Sequence, residues 1–140
     1  MIGRRGDYKL LRAMPTRWFD NDVYGHLNNT VHYQLFDTAV NTHLIESGVL
    51  DPQGGETVFL VIESGCRYHA QLTFPQTVTA GLRVAHLGNS AVRYEIGLFG
   101  GDDDQAAAEG FFVHVNVDRL ARTKARITEP TRAVLKALTI

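Results

Sequence analysis

The sequence predicts an α+β fold in which a five-stranded antiparallel sheet wraps around one long central helix. Three observations lead there. One stretch repeats its apolar residues at three- and four-residue steps, the period of a helix face; several later stretches alternate apolar and polar residues, the period of a strand; and short Gly- and Asn-containing turns between the later strands oblige them to pair antiparallel. With 140 residues, 44% of them hydrophobic and 21% charged, the chain has the material for one core. No run of Gly, Ser and Pro is long enough to link two cores, so a single domain spanning 1–140 is expected.

Each element has its own warrant. Leu10, Arg12 and Met14 alternate with Lys9, Leu11 and Ala13, but Pro15 cannot donate to a ladder, so this first strand is broken, bulged or at an edge. From Asn29 the period changes. Val31, Leu35, Phe36, Ala39, Val40 and Leu44 gather on one face of a helix that Asn28 caps and that runs to Ser47, with Gly48 as its left-handed stop. Thr57-Val58-Phe59-Leu60-Val61-Ile62 is continuously apolar and β-branched, the pattern of a strand covered on both faces at the centre of a sheet. Val78, Ala80, Leu82 and Val84 alternate with polar or small residues, as do Val92, Tyr94, Ile96 and Leu98, and Leu87-Gly88-Asn89-Ser90 makes a hairpin of the two. After a turn at Gly100–Asp104, Phe111, Val113, Val115 and Val117 form a last strand ending near Asp118, and a short helix follows from Thr131 to Leu138 with Pro130 near its first turn.

Composition excludes several function classes. A formal net charge of −1 with scattered Lys and Arg offers no field for a nucleic-acid backbone. No stretch is apolar enough for a signal-peptide core or a membrane span, so a cytoplasmic protein without membrane or nucleic-acid partners is expected. One cysteine, Cys66, permits no internal disulfide and reads as a small buried hydrophobe. His69 and His114 alternate with apolar neighbours without converging spacing, so no metal is expected.

The chemistry is concentrated in Arg17-Trp18-Phe19-Asp20-Asn21-Asp22-Val23-Tyr24-Gly25-His26-Leu27-Asn28-Asn29, directly ahead of the long helix. A helix start offers unpaired N–H groups and a partial positive charge that polarise a carbonyl oxygen. A carboxylate just upstream is placed to attack that carbonyl or to activate a water. On spacing alone, turn and cap roles for Asp20, Asp22 and Asn28 stand beside this reading.

The same segment resembles the R-[WY]-x-D-x-D-x-x-G-H-[VL]-N-N signature of the 4-hydroxybenzoyl-CoA thioesterase-like branch of the hotdog superfamily. The likeness continues through Tyr33 and Phe36, Arg67-Tyr68-His69-Ala70-Gln71-Leu72 and Leu87–Ser90, and so covers most of the chain. The resemblance implies a hotdog fold and an acyl-CoA thioesterase that needs no cofactor, CoA being part of the substrate. By position it implies Asp22 as the catalytic carboxylate, nucleophile or general base, and the amide near Asn29 as the donor that polarises the thioester carbonyl. His26 orients substrate or water, or bonds a backbone group at the helix start. Gly25 admits close approach of the chain to substrate, with Tyr24, Asn28 and Tyr33 as further substrate contacts. Ser90 falls where some members touch the nucleotide and phosphates of CoA; the basic residues some carry there are missing, with His86 and Arg93 nearest. Asp20 reads as structural. Two other readings share the fold: a noncatalytic acyl-CoA-binding module, which has no need of Asp22, and a dehydratase, for which His26 is the only tempting base. A homodimer or homotetramer is expected, because one helix covers one face of the sheet and leaves its edges unpaired, and the resemblance implies that each active site is shared between subunits.

Overall fold

The computed structural model describes all residues, Met1–Ile140. Its elements are strand β1 (Leu10–Met14), helix α1 (Asn29–Glu46), strands β2 (Thr57–Tyr68), β3 (Val78–Leu87), β4 (Ala91–Gly100) and β5 (Ala108–Asp118), and helix α2 (Glu129–Lys136). The five strands form one antiparallel sheet in the order β1-β3-β4-β5-β2. This is the expected α+β arrangement, with α1 packed against the sheet.

The helix begins and ends where its local chemistry dictates. The Asn28 side chain accepts from the Thr30 amide at 3.0 Å, satisfying one free donor of the first turn, and Gly48 at φ +76° takes the left-handed position after the last turn. Val31, His32, Leu35, Phe36, Ala39, Val40 and Leu44 are buried against the sheet. They meet Val78, Ala80, Leu82 and Val84 of β3, Val92, Tyr94, Ile96 and Leu98 of β4, and Phe112 of β5 in one core. The Phe36 ring lies directly over Gly110, where any Cβ would collide with it and with the Gly65 carbonyl.

β1 is an edge strand that ends at Met14, before Pro15, one of the three outcomes that Pro15 left open. The expectation that the Thr57–Ile62 run sits at the centre of the sheet is overturned. β2 is the opposite edge, twelve residues long, and pairs only with β5. Leu60, Val61 and Ile62 are exposed at 38%, 49% and 63%, so their apolar run does not reflect burial within this chain. A continuous apolar strand predicts cover on both faces, without saying whether the same chain supplies it. No helix is long and apolar enough to cross a membrane.

His114 sits on the core side of β5 among the rings of Phe59, Tyr94 and Phe112. It is 2% exposed and both ring nitrogens lack a partner. Burial without a hydrogen bond disfavours the imidazolium, and its pKa falls from 6.5 to about 4.

Two predictions follow from this packing. Gly110→Ala should destabilise the fold by about 1–3 kcal/mol in urea denaturation, as overpacking does. Gly6→Ala, with nothing within 4 Å of the added carbon, should leave it within about 0.5 kcal/mol of wild type. For His114, the unfolded chain binds the proton more readily than the native one. Its contribution is therefore complete above pH 6.5 and is lost as pH falls towards 4. At roughly 1.4 kcal/mol per pH unit the loss totals about 3 kcal/mol. The drop in urea midpoint between pH 7 and pH 5 should be smaller in His114→Phe than in wild type; equal drops would mean that another group carries the acid sensitivity.

Candidate active site

The segment ahead of α1 folds into two small turns joined back to back. Trp18–Asp20 is a single 3-10 turn. The Arg17 amide donates to Asp20 Oδ2 at 2.8 Å, and its guanidinium reaches Oδ1 through Nε (3.0 Å) and Nη2 (2.8 Å). The Asp20 carbonyl then accepts from the Asn28 amide at 2.9 Å, tying this turn to the helix cap. With a side chain only 3% exposed and both oxygens engaged, Asp20 has the geometry of a structural carboxylate.

Asp22 to His26 form the second turn. The Asp22 amide donates to the His26 carbonyl at 2.9 Å, and the Gly25 amide to the Asp22 carbonyl at 3.2 Å. Gly25 takes φ +87°, a left-handed conformation in which a side chain would be strained. Asp22 Oδ1 accepts the Tyr24 amide at 2.8 Å. Oδ2 faces His26 Nδ1 at 3.6 Å, a contact too long for a hydrogen bond, and the side chain is 20% exposed. Of the two acids, Asp22 is the one with an oxygen left for substrate or water.

Asn29 opens α1. Its amide donates to no group of the chain, and its carbonyl accepts from the Tyr68 hydroxyl at 3.0 Å. The Asn28 side chain is spent on the cap, accepting from both the amide and the hydroxyl of Thr30. His26 Nδ1 lies 3.3 Å from the Leu27 carbonyl, and its ring stacks on Tyr24. Tyr33, one turn along the helix, is half-buried and packs on Phe36 and Phe112. Within one chain, then, Asp22, Tyr24, Gly25 and His26 share one turn, Asn28 and Asn29 follow it at the helix start, and Tyr33 lies one turn further along α1. Ser90 does not join them. It lies at the other end of β3, whose ten residues span about 30 Å. There Arg132 donates to the Gly88 and Asn89 carbonyls at 3.1 and 3.0 Å.

Three supporting residues escape a reading by spacing. The Thr73 hydroxyl donates to the Gly25 carbonyl at 2.9 Å, and Leu27 N–H meets the Leu72 carbonyl at 2.7 Å, which fastens the Asp22 turn to the segment before β3. Tyr68 anchors the helix start from the end of β2. His32 is buried beneath that start, edge-on to Tyr68 at 4.8 Å, with Nδ1 unpartnered and its pKa lowered chiefly by burial. These partners lie 39 to 48 positions from the residues they hold, beyond any local pattern. Around the carboxylate, Trp18, Phe19, Val23 and Tyr24 are almost fully exposed. No three His, Cys, Asp or Glu side chains converge in the manner of a metal site.

A profile of the thioesterase superfamily matches residues 24–107. The crystal structure of the PA5185 protein of Pseudomonas aeruginosa strain PAO1 is 49% identical, covers 99% of this chain and 97% of its own, and superposes with a TM-score of 0.97. At 15% identity, the 1,4-dihydroxy-2-naphthoyl-CoA thioesterase Slr0204 of Synechocystis matches 90% of this chain and 94% of its own, with a TM-score of 0.81. The gentisyl-coenzyme A thioesterase BH1999, 18% identical, matches 90% and 99% at 0.77. Comparison with curated proteins gives no match. With the profile spanning more than half of the chain and a solved structure 49% identical over nearly all of it, this chain belongs to the thioesterase superfamily, as a thioester hydrolase of the hotdog fold.

Proposed function

We propose that the chain hydrolyses acyl-CoA thioesters to the free acid and CoA, with Asp22 as the reacting carboxylate. The observation that carries this is the pairing of a solvent-reachable carboxylate with a helix whose first amide, that of Asn29, is uncommitted. A thioester carbonyl oxygen set against that amide gains a hydrogen bond and the positive end of the helix dipole, which stabilise the negative charge developing on it. Asp22 then attacks the carbonyl carbon, giving an anhydride that water opens, or takes a proton from a water that attacks. Either route breaks the C–S bond and releases the thiol, and neither calls for a cofactor. Tyr68 holds the Asn29 carbonyl, and Thr73 holds the Gly25 carbonyl; both keep the acid and the amide in fixed relation. Tyr24 and Gly25 border the carboxylate, and His26 orients substrate or water beside it.

The site works between subunits in this reading. β2 leaves a twelve-residue edge unpaired, its Leu60, Val61 and Ile62 are exposed, and Trp18 and Phe19, in the turn before Asp22, stand 81% and 86% exposed. Apolar surface of this kind calls for a partner, and a second copy meeting it about a two-fold axis covers the edge and the patch together. The assembly is a homodimer or a dimer of dimers.

Asp22→Asn should lower kcat on an acyl-CoA by about 10²–10⁴-fold and leave substrate binding intact. Wild-type turnover in that variant would remove Asp22 from the mechanism. Asp20→Asn, by contrast, should lower the melting temperature more than the rate. Turnover per chain should also collapse once dilution passes the dimer dissociation constant, as read by activity and sedimentation in parallel; a fully active monomer would end the shared-site reading.

A further inference from the structure

The face of the sheet that turns away from α1 carries a basin of about 500 Å³ that the hydrolytic site does not use. Arg67 of β2, Arg83 of β3 and Arg93 of β4 open into it together with Glu95 and Glu109, so three guanidiniums face two carboxylates. Both carboxylates are already engaged. Glu95 accepts from Arg83 Nε at 2.9 Å, and Glu109 accepts the Gly3 amide at 3.3 Å and meets His69 Nε2 at 2.8 Å. Arg67 stands directly across the strands from Glu109, yet its guanidinium has no partner in the chain, because His69 and Gly3 occupy that acid. Arg93 sits over the Phe111 ring, 3.9 Å from its centroid, with Glu95 no nearer than 4.0 Å, and Arg83 sits over Tyr8 at 4.8 Å. Stacking orients these two forks before any ligand arrives, which reduces the ordering cost of binding.

We propose that this basin binds nucleotide phosphates, those of the nucleotide half of a CoA substrate or of a free nucleotide. Guanidinium forks match phosphate oxygens two at a time, and Arg67 and Arg93 hold donors that no carboxylate of the chain satisfies. The position suits a substrate that passes around the end of the strand. Arg67 immediately precedes Tyr68, whose hydroxyl meets Asn29, so the basin and the helix start lie on opposite faces of the same end of β2. At the β3–β4 turn the guanidiniums present are already engaged, Arg126 by the Asn89 side chain and Glu129 and Arg132 by the Gly88 and Asn89 carbonyls. The assignment to CoA rests on the proposed function; the assignment to phosphate does not.

The probe is adenosine 3′,5′-bisphosphate, titrated by calorimetry into the full chain. Wild type should bind it, more weakly as salt rises, and Arg67→Gln should weaken binding about tenfold, the usual effect of one charge-assisted contact. The Arg67 side chain makes no hydrogen bond or ion pair in the chain, so Arg67→Gln should fold as wild type does; Arg93→Gln is the second variant and should weaken binding likewise. No binding by wild type, or equal affinity in wild type and both variants, overturns the proposal. The source of the phosphate is read from the ratio of kcat/KM on an acyl-CoA to that on the matching S-acyl pantetheine. A fall of about tenfold in that ratio in Arg67→Gln assigns the basin to the substrate. An unchanged ratio with lost bisphosphate binding assigns it to a free nucleotide. Because Asp22→Asn keeps the basin whole, bisphosphate binding persists there even if the hydrolytic reading fails.

Discussion

The length match between α1 and the sheet sets where every other part of the molecule falls. Eighteen helical residues rise about 27 Å, and the ten to twelve residues of β2 to β5 extend about 33–40 Å. A helix laid along such a sheet with seven side chains buried cannot slide without exposing Leu44 at one end or Val31 at the other. Phe36 over Gly110 acts as the index, since a bulky ring fits only where the facing strand has no side chain. The start of α1 is thereby brought to the end of the sheet where β2 finishes and β3 begins, beside Tyr68 and Thr73.

Two aspartates two residues apart acquire opposite natures from that placement. Asp20 turns inward, where burial would be costly for a lone charge, and is compensated by three hydrogen bonds from Arg17. Its main-chain carbonyl then carries the constraint to Asn28 and so to the helix cap. Asp22 is held by its backbone and by one amide bond, which leaves its second oxygen, near His26, without a hydrogen bond. The difference between neighbouring acids therefore follows from solvation: the buried one organises the turn, and the accessible one keeps an oxygen uncommitted.

The two edges of the sheet differ in what they offer to another strand. β1 is short and bounded by Pro15, a strand that offers little to pair with. β2 is long, open and apolar at its middle, and the aromatic residues around Asp22 are exposed with it. The face of the sheet away from α1 bears Arg67 of β2, Arg83 of β3 and Arg93 of β4, the last two placed over the Tyr8 and Phe111 rings.

What the sequence by itself determined is local in origin. Helix period, cap and stop for α1, the alternation of β3, β4 and β5, the β3–β4 hairpin, and the grouping of Asp22, Gly25, His26 and Asn29 ahead of a helix all depend on residues within a few positions of one another. The resemblance in that same segment carried the family and the fold. Tertiary structure decided what depends on chain-distant neighbours. It placed the apolar run of β2 at an edge, because hydrophobicity reports that a strand seeks cover and not which chain supplies it. It brought Tyr68 and Thr73 to the site and carried Ser90 to the far end of β3, because a sheet separates the two ends of each strand whatever their order in sequence. And it left Arg67 without its cross-strand acid, because Glu109 found His69 and the Gly3 amide, a competition among groups that no spacing along one chain records.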